Sequence, residues 1–152
     1  MHIAMVAGEL SGDLLGAGLI AGAPQSSAVA RTTSWTDSSA TLDARVRAYL
    51  DINCGHCHNA AGAAATSGLL LDAATTDFRQ LGFCKRPIAA GRGSGGHQYS
   101  IVPGAPEASI LVFRMTTTDP AMRMPELGRS LAHDAAVEVV SDWIASLPGD
   151  CV

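Results

Sequence analysis

Five consecutive residues, Cys54-Gly55-His56-Cys57-His58, limit what this chain can become more than any other stretch. Two thiols stand three positions apart, and an imidazole follows the second. This is the C-x-x-C-H spacing of covalent haem attachment. The spacing answers a chemical need. Two thiols add across the two vinyl groups of one porphyrin, and the two residues between them span the gap separating those vinyls. The histidine that follows lies where it can bind the iron. On this reading Cys54 and Cys57 carry thioether bonds to one haem c, and His58 is the proximal iron ligand.

Three other uses of the same residues stay open. Cys-Gly-His-Cys is also the active-site tetrapeptide of protein disulfide isomerases. That chemistry needs a nucleophilic thiolate at a helix N-terminus, usually after a strand. Here the residues before Cys54 look helical, and Asn53 stands where those enzymes carry a tryptophan. A zinc site on Cys54, Cys57 and His58 would need a fourth ligand, and there is no second C-x-x-C to complete the usual pattern. The plainest use is a disulfide beside a solvated histidine.

The chain has 152 residues, enough for one core. Aromatic residues make up 5%, and small residues supply much of the 47% hydrophobic fraction, so a haem would be the largest apolar body in that core. The formal net charge is −4 and no basic stripe appears, which argues against a nucleic-acid partner. If two of the four cysteines hold haem, Cys84 and Cys151 remain, 67 positions apart. Haem c is attached in oxidising bacterial compartments, where a leftover pair tends to join. A Cys84–Cys151 disulfide in a periplasmic protein is expected, two free or buried thiols being the alternative.

Residues 1–23 read differently from the rest. Met1 to Ala7 suits a short buried strand, Gly8-Glu9-Leu10-Ser11-Gly12-Asp13 a turn, and Leu14 to Ile20 a helix start. This opening resembles that of bacterial lipid-A-disaccharide synthase, whose chain begins with a G-E-x-S-G-D loop, over about the first 20 residues. A sugar-nucleotide transferase needs a full α/β sheet, and the remainder has no alternating strand–helix pattern. As a secretory signal the same stretch is poor, because Glu9 and Asp13 sit where positive charge belongs. Its apolar run is also too short for a transmembrane helix, and no integral membrane segment is expected. Residues 24–36 read as a Ser/Thr/Ala-rich linker, with Trp35 docking it on the domain that follows.

That domain, residues 37–152, opens with Leu42, Val46, Tyr49 and Leu50 on one helical face, capped by Thr41 or Asp37 and running into Cys54. Arg45 and Arg47 are expected in solvent. Leu69-Leu70-Leu71, Phe78, Leu81 and Phe83 supply core or cofactor contacts. Gly91-Arg92-Gly93-Ser94-Gly95-Gly96 matches G-x-G-x-x-G by letter. No helix fits after it, so a turn that brings backbone near the cofactor is expected, with Arg92 a candidate partner for a haem propionate. Pro106 and Glu107 suit the first turn of a further helix. Val137, Val140, Ile144 and Leu147 share a face of a last helix starting near Asp134, with Trp143 beside that face.

The order of opening helix, C-x-x-C-H, Pro103-Gly104 turn, Met124-Pro125 loop and terminal helix resembles the class I c-type cytochromes. Within them it is most similar to the C-terminal haem domain of bacterial di-haem cytochromes. The resemblance implies a mostly α, cytochrome c-like fold with crossed first and last helices around one haem. It implies Met124 as the second iron ligand, with Met122 the near alternative and Met115 and His133 weaker ones. The function implied is electron transfer through a His/Met-ligated haem to a transiently docked redox protein, not catalysis. A thiol–disulfide oxidoreductase, or a haem enzyme or sensor with an open distal site, are the alternatives.

Overall fold

The computed structural model describes residues 31–127 and 129–151. The strand–turn–helix and signal readings of residues 1–23, and the first part of the 24–36 linker, lie outside the described residues. The chain from Thr33 to Val152 makes one unit. Among the described residues its regular structure is helical: α1 (Leu42–Leu50), α2 (Ile110–Thr116) and α3 (Asp134–Ser146), with no strand. Between α1 and α2 the chain runs through single turns of tighter helix and two isolated bridges, Phe83 to Ile101 and Tyr99 to Ser109.

α1 begins where the sequence says it should. The Thr41 hydroxyl accepts a hydrogen bond from the Ala44 N–H at 3.2 Å, which satisfies one of the donors a helix start leaves free. Asp37 instead closes its own turn, accepting from the backbone and hydroxyl of Ser39. Val46, Ala48, Tyr49 and Leu50 are buried, and Leu42 packs at the margin of the core.

α3 buries Val140 and Ile144 as its aliphatic spacing suggests, but is rotated so that Trp143 rather than Val137 completes the inner face. Ala136, Val140, Trp143 and Ile144 are buried, at i, i+4, i+7 and i+8, while Val137 and Leu147 lie at the edge. Trp143 decides the rotation. Its indole N–H donates to Asp43 of α1 at 2.9 Å, and its ring meets Phe83 edge-on with centroids 5.6 Å apart. A buried Trp needs such a partner for its N–H, so burying Trp143 fastens α3 against α1. α2 packs on α3 in turn.

The core joins Val46, Tyr49 and Leu50 of α1 to Leu71, Ile101, Met115 and the inner face of α3. Each fully buried aliphatic side chain contributes about 1.5–3 kcal/mol. Trp35 packs against this core and meets Tyr49 and His133 edge-on. Phe78, expected inside, is 67% exposed and covers only the edge of Phe83.

The helix expected from Pro106 starts later. Pro106–Ala108 form a single tight turn, Ser109 is extended, and α2 opens at Ile110. Ser109 is fully buried, and both capacities of its hydroxyl are used: it accepts from the Val102 N–H and donates to the Ala105 carbonyl. Cys84 and Cys151 are disulfide-bonded, with Cα atoms 5.3 Å apart, so the end of the chain is tied to the segment beside Phe83.

Candidate cofactor site

The five-residue motif sits where α1 changes its winding. The helix does not stop at Leu50 but widens into a π turn over Asp51–Gly55, and such turns often mark functional positions. The Cys54 carbonyl accepts from the N–H groups of both Cys57 and His58, at 3.1 and 2.8 Å. The loosened carbonyls that follow are taken by an amide side chain: Asn59 donates to Gly55 at 2.7 Å and to His56 at 3.3 Å. Arg47 and Asp51 hold the next loop against the motif. Asp51 accepts from the Ala73 N–H, and the Arg47 guanidinium donates to the carbonyls of Asp72, Ala73 and Thr75. Arg45 likewise donates to the Trp35 carbonyl. Neither arginine is simply solvated, because each has backbone acceptors within reach.

His58 is held at both ends. Its carbonyl accepts from the Leu71 N–H at 2.7 Å, and its ring Nδ1 lies 3.2 Å from the Leu69 carbonyl. A carbonyl can only accept, so Nδ1 carries the proton and Nε2 keeps the free lone pair. Burial holds the ring's pKa below the usual histidine value, and the Leu69 contact opposes that only in part. The ring is therefore a neutral imidazole with Nε2 as its basic atom, the form a metal takes.

Cys54, Cys57 and His58 line one cavity of about 600 Å³. That is within the range of roughly 300–1,000 Å³ for sites that take a sizeable organic ligand. Its wall is mostly apolar, with Leu69, Leu71, Leu81, Ile101, Ile110 and Leu111 among its residues. Met115 and Met124 are in the wall as well. The basic groups there are Lys85 and Arg114, with Glu126 the acidic one. A second cavity of about 20 Å³ shares Asn53, Cys54, Met115 and Met124 with the first, and adds Tyr49, Arg129 and His133. It has room for about one water molecule.

The structure thus brings four of the five expected cofactor residues, Cys54, Cys57, His58 and Met124, to one cavity. Arg92 is not among the wall residues. Its side chain is 82% exposed and lies 3.7 Å from Asp119. The arginine of the wall is Arg114, which donates from Nε to the Gly93 carbonyl at 2.9 Å. A Cβ on Gly93 would lie 1.9 Å from the Arg114 Nη2. The glycine-rich run is therefore a seat for Arg114 over a tight turn, Gly91–Ser94, with neither the strand before it nor the helix after it that a dinucleotide site requires. Met122 lies outside the large cavity, on the turn closed by Asp119. His133 stands at the start of α3, 3.3 Å from the Tyr49 hydroxyl.

Sequence reasoning missed Arg114, Lys85 and Arg129. Their neighbours carry no motif, and what gives them roles is the backbone carbonyls they meet in the fold.

Cys54 and Cys57 are free thiols. Burial pushes the Cys54 thiol up to about 12, and the neighbouring Cys57 adds to the effect. Thiol–disulfide exchange needs the opposite shift, toward thiolate at neutral pH. Among the described residues, no group of three or more His, Cys, Asp or Glu side chains is placed to share a metal ion. No helix among them is long and apolar enough to cross a membrane. No protein-family model matches the chain, and no curated protein or solved structure matches it.

Proposed function

We propose that the large cavity takes one covalently attached haem, and that the protein is a c-type cytochrome domain passing electrons to a partner protein. One observation carries this reading: the two thiols and the imidazole of a C-x-x-C-H motif share a single, mostly apolar cavity of about 600 Å³ with the Met124 thioether. The donor chemistry suits the group. Cys54 and Cys57 would hold it covalently. His58, neutral and oriented through Nδ1, and Met124 would hold its iron. Lys85 and Arg114 are the wall's cations and suit the porphyrin's two carboxylates. The haem supplies reversible one-electron chemistry when bound, and a soft, neutral thioether opposite an imidazole favours its reduced state.

Were His58 and Met124 both to hold the haem iron, the chain would favour electron transfer over chemistry on a bound substrate. Its role is then transfer through the exposed edge of the cofactor to a transiently docked redox protein. Attachment of haem c would suit a periplasmic protein. The high thiol pKa of Cys54 counts against the oxidoreductase alternative, since a protonated thiol is a poor nucleophile.

The test is an optical spectrum of the chain, exported and made together with a c-type maturation system, with Met124→Ala beside it. Sharp low-spin c-type bands, with a near-infrared sulfur-to-iron band that the substitution abolishes, are expected. A sulfur band that survives Met124→Ala would move the ligand to Met115, the other methionine of the wall. Carbon monoxide binding to the ferrous wild type at once would favour an open site. No covalent haem at all would sink the proposal.

A further inference from the structure

α2 is seven residues long, too short to hold itself together, and it ends with carbonyls that have no partner inside the helix. The Met124 loop supplies the missing partners. The Met124 N–H donates to the Arg114 carbonyl at 2.8 Å. A single guanidinium does the rest. Arg129 donates from Nη1 to the Met115 carbonyl at 2.6 Å and to the Met124 carbonyl at 2.7 Å, and from Nη2 to the Thr117 carbonyl. One planar fork thus joins the end of α2 to the backbone of Met124, a geometry a lysine ammonium cannot span in the same way. Arg129 also stands with Met124 in the wall of the smaller cavity.

The loop from Thr117 to Met124 has no regular structure; Pro125 follows it, half-buried in the walls of both cavities, and Glu126 and Leu127 beyond are exposed. Where the thioether stands therefore depends on where its backbone is fixed, and both polar groups of that backbone are committed to the α2 end. We infer that Arg129 is the positioning residue that holds Met124 in the cavity wall. Its guanidinium makes its hydrogen bonds to backbone carbonyls and none to a thiol or imidazole of the motif. It acts by locking the carbonyls of Met115, Thr117 and Met124 in one arrangement. The inference rests on the haem reading above, with Met124 as the second ligand.

The experiment compares wild type, Arg129→Gln and Arg129→Lys, each carrying covalent haem. Three readouts are taken: the sulfur-to-iron band against temperature, the far-ultraviolet helix signal against temperature, and the rate at which carbon monoxide binds the ferrous form. Carbon monoxide can enter only when the methionine lets go, so its rate reports how firmly the loop is held. In Arg129→Gln the band should be lost well below the temperature at which the helices melt. The carbon monoxide rate should rise about ten-fold, corresponding to about 1.4 kcal/mol. Arg129→Lys should recover part of both. Band and helix signal shifting together, with no separate gain in the carbon monoxide rate, would show a merely structural arginine and overturn the inference. So would an unchanged Arg129→Gln. A wild type with covalent haem but no sulfur band refutes the ligand reading and this inference together, whereas a normal wild type with an unresponsive variant refutes this inference alone.

Discussion

Gly62 tests how the motif is held, because its missing side chain is what lets the chain fold back on Cys57. A Cβ at this position would lie 2.2 Å from the Cys57 carbonyl oxygen, 2.8 Å from its carbon and 2.9 Å from the Asn59 amide nitrogen. The first two are backbone atoms, so no rotamer change relieves the clash. Restoring van der Waals separation needs a shift of roughly 1 Å between the two segments. That shift strains the Ala64 N–H to Cys57 carbonyl bond of 3.0 Å and the Gly62 N–H to Asn59 carbonyl bond of 3.1 Å. At about 1 kcal/mol for each of the two bonds, and about 1–3 kcal/mol for overpacking, Gly62→Ala should lose about 3–5 kcal/mol. For a unit of this size each kcal/mol corresponds to roughly 4 °C, so the midpoint of thermal unfolding should fall by about 12–20 °C. Gly96→Ala is the control. Nothing lies within 4 Å of its Cβ, but its φ of +85° makes any side chain costly, by about 1 kcal/mol. Calorimetry on the two variants decides the matter. If Gly62→Ala melts within about 2 °C of wild type, or above Gly96→Ala, then the close approach at Cys57 does not fix the motif and the reasoning fails.

Removing the Cys84–Cys151 bond as the double serine variant should lower stability by about 4 kcal/mol in the chain-entropy model for a 67-residue separation, read from urea unfolding midpoints. Trp143→Phe keeps the ring packing but loses the bond to Asp43, and should cost about 1 kcal/mol. A double-mutant cycle with Asp43→Ala should show the two losses are not additive, and simple additivity would deny the contact. In the chain made without haem, Cys54 should react with iodoacetamide at pH 8 much more slowly than free cysteine, because its thiol stays protonated up to about pH 12. The same raised value means folding is helped below the unfolded thiol's value of 9.0, and that this help is lost as pH rises from there through about 12. A flat denaturation profile over that range would contradict it.

Much of the framework was legible because it rests on side-chain patterns. Period-3.6 spacing located α1 and α3 and the Thr41 cap, since both follow from local chemistry. The rotation of α3 was not legible. Val137 and Trp143 lie on opposite flanks of Val140 and Ile144, and Asp43, 100 positions from Trp143, decides between them by accepting the indole N–H. The late start of α2 was hidden for a similar reason. Pro106 is a good first helical residue, but Ser109 is needed to bind Val102 and Ala105, and that requires it to be extended.

The site divides along the same line. Cys54, Cys57 and His58 are read from spacing, because covalent chemistry needs those atoms at those intervals. What orients them is backbone: the Leu69 carbonyl fixes the tautomer of His58, and the α2 carbonyls fix Met124 through Arg129. Every residue has a carbonyl, so no residue type announces which one will be used. The same logic separates Arg92 from Arg114. Both are arginines near the glycine-rich run, yet only Arg114 has carbonyls to grip at Gly93, and the absence of a Gly93 side chain is what lets it lie in the cavity wall. A basic residue expected to meet a cofactor's carboxylates is therefore better sought by asking which guanidinium the backbone has already immobilised than by its distance along the chain from the motif. Immobilisation lowers the entropy lost on binding, so Arg114→Met should weaken retention of non-covalently added haem more than Arg92→Met does. Equal loss in the two variants, measured by haem titration of the chain with Cys54 and Cys57 replaced by alanine, would return Arg92 to the site.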